Sequence, residues 1–246
     1  MTNHVKIITA LAVAVLVLNH PATFAEEEVA TTAGGPTKTC EWSLSLDGVR
    51  PGDDLFWDKG TGGTLKYTVM QTPTRGFAFS AGVQKWDVNE DVAAGVDDLG
   101  GGYQLAYGFQ LQGDASLIPV SAVGVLRHEL SPGLHLALEA GLSYVIVNSK
   151  VKFVELGYLA QGNDLIAGEA YASDVDIENG LVAIFGADLR YRSNPSSKWT
   201  WFAGVGGQVD LSKGTVTYPY TPLSGAGEGE SELKAILFRA GLASAF

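Results

Sequence analysis

Between residues 134 and 147 apolar and polar or small side chains take alternate places. Leu134, Leu136, Leu138, Ala140, Leu142, Tyr144 and Ile146 fall on one side, and His135, Ala137, Glu139, Gly141, Ser143, Val145 and Val147 on the other. Side chains along a strand point to opposite faces in turn, so a strand keeps these sets apart where a helix would mix them. The same period of two returns at 181–192, where Leu181, Phe185 and Leu189 oppose Gly186, Asp188 and Arg190. It returns again at 199–211, whose apolar side runs from Trp199 and Trp201 to Val209 and Leu211. Weaker copies lie at 40–48, 65–71, 76–88, 118–130 and 232–246, which makes eight predicted strands in an all-β chain. Most are longer than the globular mean of about 5–6 residues and suit a tilted strand crossing a membrane.

The connections differ in length. Residues 72–75, 131–133 and 193–198 make tight turns around Pro73, Pro132–Gly133 and Asn194–Pro195, residue types that preset or tolerate turn angles. The other four, 49–63, 89–117, 148–180 and 212–231, are long. In hydrocarbon each unpaired backbone N–H or C=O costs several kcal/mol, so a sheet there must close on itself. The pattern therefore predicts a closed antiparallel transmembrane β-barrel with tight turns in the periplasm and long loops outside. One segment complicates the count: Tyr103, Leu105, Tyr107, Phe109 and Leu111 alternate with Gln104, Ala106, Gly108 and Gln110. A ninth crossing would put the chain ends on opposite sides, so this segment is read as a strand-like part of the second long loop. Ten strands, with another inside 148–180, is the alternative.

Turning the polar faces inward brings Lys66, Arg127, Arg190, Arg192 and Arg239 together with Asp47, Glu129, Glu139, Asp188 and Asp210, five charges of each sign. His135, Gln84, Gln208 and Trp86 share that interior. An eight-stranded barrel is narrow enough for side chains to fill, and buried charges need partners, so a paired plug is expected rather than an open pore. Phe77, Phe79, Tyr191, Trp199, Trp201 and Phe246 fall near the periplasmic ends of their strands, as an interfacial aromatic girdle would.

Composition agrees with a lipid-facing chain: 46% of residues are hydrophobic, only 17% are charged, and 31 are glycine. The net charge of -11 excludes a nucleic-acid partner, which would require a basic footprint. Residues 1–25 read as a signal peptide, with Lys6, an apolar run over 7–18 and a small-residue end at Ala25, followed by a flexible leader at 26–39. Cys40 is the one cysteine and cannot form an internal disulfide; it is read as a small apolar filler rather than a lipidation site. Beyond the signal only His128 and His135 remain, with no motif around either, so Glu139 and His135 are read as interior polar groups and not as an acid–base pair. The acidic run 174–180 departs from a calcium loop, because Phe185 stands where the closing Glu belongs. Gly100–Gly102 is read as a flexible loop rather than a phosphate cradle. No metal or cofactor is expected. The outer loops are acidic, with Glu90, Asp91, Asp97, Asp98 and Asp114 in the second and Glu155, Asp164, Glu169, Asp174, Asp176 and Glu178 in the third.

Within 239–246, Arg239, Gly241 and Phe246 resemble the carboxyl-terminal assembly signal of bacterial outer-membrane barrels, with Ser244 where a hydrophobic residue is usual. Residues 117–127 and 141–144, joined through a Ser-Pro-Gly turn, resemble the central hairpin of small OmpW-like and OmpA-like barrels. That resemblance implies a Gram-negative outer membrane, insertion by the barrel assembly machinery and lipopolysaccharide as a neighbour. Members of this group do different things, so the fold does not choose among them. The expectation is a monomeric, non-enzymatic barrel with a structural or surface-interaction role through 89–117 and 148–180. The alternative is a narrow channel or carrier for small or hydrophobic solutes. Deleting Phe246 should lower the amount of assembled barrel while leaving export intact, measured by comparing membrane-inserted and periplasmic protein after fractionation.

Overall fold

The computed structural model describes residues 39–52, 57–88, 93–162, 164–194, 196–212, 214–218 and 227–246. The signal segment, the leader up to residue 38, and Glu90 and Asp91 lie outside this set. All regular structure among the described residues is strand: β1 (Thr39–Pro51), β2 (Trp57–Met70), β3 (Arg75–Val88), β4 (Ala93–Gly100), β5 (Tyr103–Gln112), β6 (Asp114–Ser131), β7 (Leu134–Ser149), β8 (Lys152–Gln161), β9 (Asp164–Asp174), β10 (Asp176–Ile177), β11 (Gly180–Tyr191), β12 (Trp199–Asp210), β13 (Gly214–Tyr218), β14 (Gly227–Ser231) and β15 (Ala235–Ala245).

Eight of these close into an antiparallel barrel in the order β1, β2, β3, β6, β7, β11, β12, β15. The last strand zips to the first from Glu41↔Ala245 to Pro51↔Ala235, so neither edge is left unpaired. Following paired residues once around, from Glu41 through Thr68, Ala78, Val123, Gly141, Ile184, Gln208 and Ala235, returns to β1 at Pro51, ten residues further on. Eight strands with that stagger tilt by about 40° and leave a backbone radius of about 8 Å, too narrow for an aqueous pore once side chains point inward. Pro119 interrupts the wall: the β3–β6 ladder loses its rungs between Ala81↔Val120 and Gln84↔Leu117, because proline has no N–H to give.

The outward faces are apolar and uncovered. Leu46 is 77% exposed, Leu44 62% and Trp201 61%, and Leu65, Val83, Leu126, Leu138, Phe185, Leu189 and Phe238 are exposed with them. A water-soluble protein rarely exposes an apolar patch beyond a few hundred Å², whereas an encircling belt is what hydrocarbon solvates. The predicted girdle residues Phe77, Phe79, Tyr191, Trp199, Trp201 and Phe246 all face outward toward the tight-turn end. They are joined by Trp42 and Tyr67, whose rings lie 4.7 Å apart, with Phe246 stacked 6.5 Å beyond Tyr67.

The long connections hold further strands. Residues 103–111 form β5, and 148–180 does hide strands, but they do not widen the barrel as the ten-stranded alternative required. They build a four-stranded sheet, β4-β5-β8-β9, beyond the outer rim, while β10, β13 and β14 make a second small sheet. Period two identifies a strand but not its neighbour, which is why the alternation of 103–111 could not say where it pairs. The first connection is shorter than expected, since β1 and β2 continue to Pro51 and from Trp57; the glycines at 60, 62 and 63 blur the alternation there.

Placing a charge in the belt should report this solvent directly. Leu46→Arg, near the bilayer midplane, should cost about 2–4 kcal/mol, and Leu211→Arg at the outer edge at most about 1 kcal/mol. Equilibrium denaturant unfolding in lipid vesicles measures both.

Candidate functional site

Inside the barrel the alternate residues form layers. Nearest the periplasm, the Glu41 carboxylate accepts from Arg190 and lies 3.5 Å from Arg127 Nη2. Above it Lys66 donates to Glu139 at 2.5 Å and lies 3.7 Å from Asp188, while Arg239 bridges the same two carboxylates at 2.8 and 2.6 Å. The Phe202 ring lies between the layers, 5.9 Å from Lys66 Nζ and 5.4 Å from the Arg190 guanidinium. Asp188 is completely buried. Room for this cluster comes from missing side chains: a Cβ on Gly204 would collide with the Asp188 carboxylate, and one on Gly186 would reach Arg239 Nη2 at 3.0 Å.

A small chamber of about 80 Å³ follows, lined by hydroxyls including Ser43, Ser45, Thr64, Ser80 and the hydrogen-bonded pair Ser121–Ser143. Asp47 accepts from Ser45 at 2.8 Å and Thr64 at 2.5 Å. This space suits a few waters; an apolar cavity of about 150 Å³ is the size that takes benzene.

The chamber is capped on the outer side by an apolar lid. Trp57 and Trp86, both fully buried, meet edge to face at 5.4 Å and 88°. Leu117, Val145 and Val182 of the wall pack with them, and from outside the barrel Val151, Val175, Ile177, Val216 and Leu233 complete the cluster. Gly60 allows this arrangement, because a Cβ there would come within 2.6 Å of the Trp86 ring. Trp86 donates its indole N–H to Gln84 at 3.0 Å, and the Gln208 amide donates to the Leu233 carbonyl.

The predicted interior charges therefore separate. Lys66, Glu139, Asp188 and Arg239 meet in one network and Arg127 and Arg190 meet Glu41 in the layer below it, while Asp47 lies inside but is held by hydroxyls. Four do not join it. Glu129 is exposed at the periplasmic end, and His135 lies half-buried beside it. Arg192 falls just past β11 and donates to Thr200 at 3.4 Å. Asp210 sits at the outer end of β12, accepting the Leu233 backbone N–H at 3.0 Å. The inward face was right for these, but depth along the tilted strand removes them from the cluster. Of the tail residues, Arg239 and Gly241 point inward and Phe246 outward, its N–H bonded to the Cys40 carbonyl at 3.1 Å.

Two contributors escape the sequence reading. Glu41 is the third residue of β1, and with Trp42, Leu44 and Leu46 facing out, parity alone would have turned it inward. Trp57 carries no such signal, because the glycines beside it break the period and its burial depends on loop residues distant in sequence.

No protein-family model matches this chain, and no curated protein matches it. Solved structures do. The outer membrane protein OprG of Pseudomonas aeruginosa superimposes with a TM-score of 0.54 at 11% identity, over 86% of this chain and 97% of that one. The N-terminal β-barrel domain of Pseudomonas aeruginosa OprF gives 0.39 at 15% identity over 84% and 97%. Ail, the attachment invasion locus protein of Yersinia pestis, gives 0.37 at 12% over 85% and 97%. At such identities the likeness to OprG is one of fold. Together with the closed wall and the apolar belt, it makes this chain a small eight-stranded outer-membrane β-barrel protein.

Removing one partner of the buried network leaves charges stranded. Glu139→Leu should destabilise the barrel by about 3–5 kcal/mol, read by urea unfolding in vesicles, and adding Lys66→Met should recover part of that loss.

Proposed function

We propose that this protein is a monomeric, non-conducting and non-enzymatic barrel that anchors an outward sheet for contact at the cell surface. The observation carrying this reading is the double closure of the lumen. Four cations and three carboxylates pair across its lower half, and the Trp57–Trp86 lid covers its outer end. The chamber between them holds water-sized volumes only. A narrow channel or carrier, the rival reading, would require both barriers to part, and each is held by contacts that are costly to break.

Support for surface contact comes from the sheet beyond the rim. Its edge strands β4 and β9 have one barrel-independent neighbour each, and edge N–H and C=O groups are templates for an added strand. Val96, Leu99, Tyr103, Tyr158 and Ile166 are exposed on it, outside the membrane belt. Exposed apolar groups there have no lipid to solvate them, which favours a partner. The non-enzymatic reading is supported by position: His128 and His135 lie at the periplasmic end, far from substrate in the outer leaflet. Insertion by the barrel assembly machinery belongs to the same proposal, resting on the tail residues Arg239, Gly241 and Phe246.

Purified protein in planar bilayers should show no reproducible unitary conductance; steady openings that disappear when the lumen is filled would overturn the closed reading. On living cells, a photoreactive residue at position 96 or 166 should form protein adducts that one at position 59 does not.

A further inference from the structure

The barrel wall carries a groove on its membrane face. Large side chains, Leu138, Phe185, Val209 and Ile236, stand around a floor made of Ala187, Gly206 and Gly207, leaving about 870 Å³. Cross-strand register explains the depression. Phe185 pairs with Gly207, and Gly207 with Ile236, so each large group faces a position with no side chain to fill the gap. Phe185 leans over Gly207, where a Cβ would come within 2.6 Å of its ring. With the register and tilt given above, the groove climbs about 17 Å along the membrane normal, from Leu138 about 7 Å below the level of Leu46 to Arg50 about 10 Å above it.

Charge identifies its upper end. Arg50 and Lys234 both line the groove there. Arg50 is on β1 and Lys234 immediately precedes the adjacent β15, since Arg50 pairs with Ile236 and the Gly52 N–H donates to the Lys234 carbonyl at 2.7 Å. Both side chains are exposed, and neither has an acidic partner among the described residues. Other outward cations near this level are paired, Lys85 with Asp114 at 3.5 Å and Lys59 with Asp58 at 3.6 Å. Two adjacent like charges repel each other unless an anion lies between them. In a protein of net charge -11, a doublet of this kind directly above an apolar slot is complementary to a molecule with a phosphate at its head and an acyl chain below.

We propose that this groove is a binding site for a phosphorylated glycolipid of the outer leaflet, with one acyl chain over Ala187 and against the Phe185 ring and a phosphate between Arg50 and Lys234. The site is distinct from the lumen, and the closed reading of the lumen can fail without affecting it. Its parts have separate tasks. The groove excludes lipid with chains too stiff or too short to follow the floor, and the cations select the phosphate.

The test uses folded full-length protein, checked by heat-modifiable mobility, in detergent with lipid A as the probe and native mass spectrometry as the readout. Arg50→Gln with Lys234→Gln should reduce retained lipid A about 20-fold, since each basic contact near a membrane surface contributes about fivefold. Ala187→Trp, which fills the slot and leaves both cations, should reduce it as well. Dephosphorylated lipid A should bind the unaltered protein about as weakly as lipid A binds the double variant. Equal retention of the two lipids, or no loss in either folded variant, would overturn the proposal. So would a large gain in retention on Asp53→Asn with Asp54→Asn, which would assign the two cations to those carboxylates instead.

Discussion

Hydrocarbon offers backbone amides no partner, and this single deficiency governs the molecule. Once a strand lies in lipid, its N–H and C=O groups must be met by another strand, and the last must return to the first. The β15–β1 seam from Glu41 to Pro51 meets that demand. Even the interruption at Pro119 follows from it, because the missing N–H removes rungs from one ladder while the wall on either side stays paired. Closure then sets the stagger, the stagger sets the radius, and the radius decides that side chains, not water, occupy the interior.

A narrow interior makes composition consequential. Ionised groups taken from water into that space need opposite charges and hydrogen bonds close at hand. Lys66, Arg239, Glu139 and Asp188 pair across four different strands, β2, β15, β7 and β11, with Asp188 Oδ2 left to the Lys66 charge at 3.7 Å and no hydrogen bond, so the network also fastens distant parts of the wall together. Glycine has a matching role. Gly204 and Gly186 are placed where side chains would compete with Asp188 and Arg239 for volume. The outer half reverses this chemistry: Trp57, Trp86, Leu117 and the loop residues that cover them form an ordinary apolar core inside a membrane protein. Polar plug below and apolar lid above give two independent barriers, and the outer sheet rests on the second.

The outer face of the wall is as informative as the lumen. Most of it is uniform belt, interchangeable in lipid. The stretch beneath Arg50 and Lys234 differs, because Gly207 of β12 stands in register between Phe185 of β11 and Ile236 of β15, and Ala187 lies below Phe185, which cuts a slot into it. Lipid-facing surfaces are often treated as featureless solvent contacts; here the shape and the charge above it are specific.

Much of this was written in alternation. Leu134 to Val147, Leu181 to Arg192 and Trp199 to Leu211 disclose strands, faces and membrane solvent without reference to any neighbour, because period two and the apolar transfer preference act locally. Inward direction for Lys66, Glu139, Asp188, Arg190 and Arg239 follows from the same parity. What parity does not contain is depth, since a tilted barrel brings residues together by stagger. Asp210 and Glu129 share the inward face with Glu139 and yet sit at opposite ends, while Glu41 meets Arg190 from across the barrel. Nor does it contain partnership: β5 alternates like a wall strand and pairs with β8 outside the wall. Pairing, depth and the lid depend on contacts between residues far apart in the chain, and those exist only once the sheet has closed.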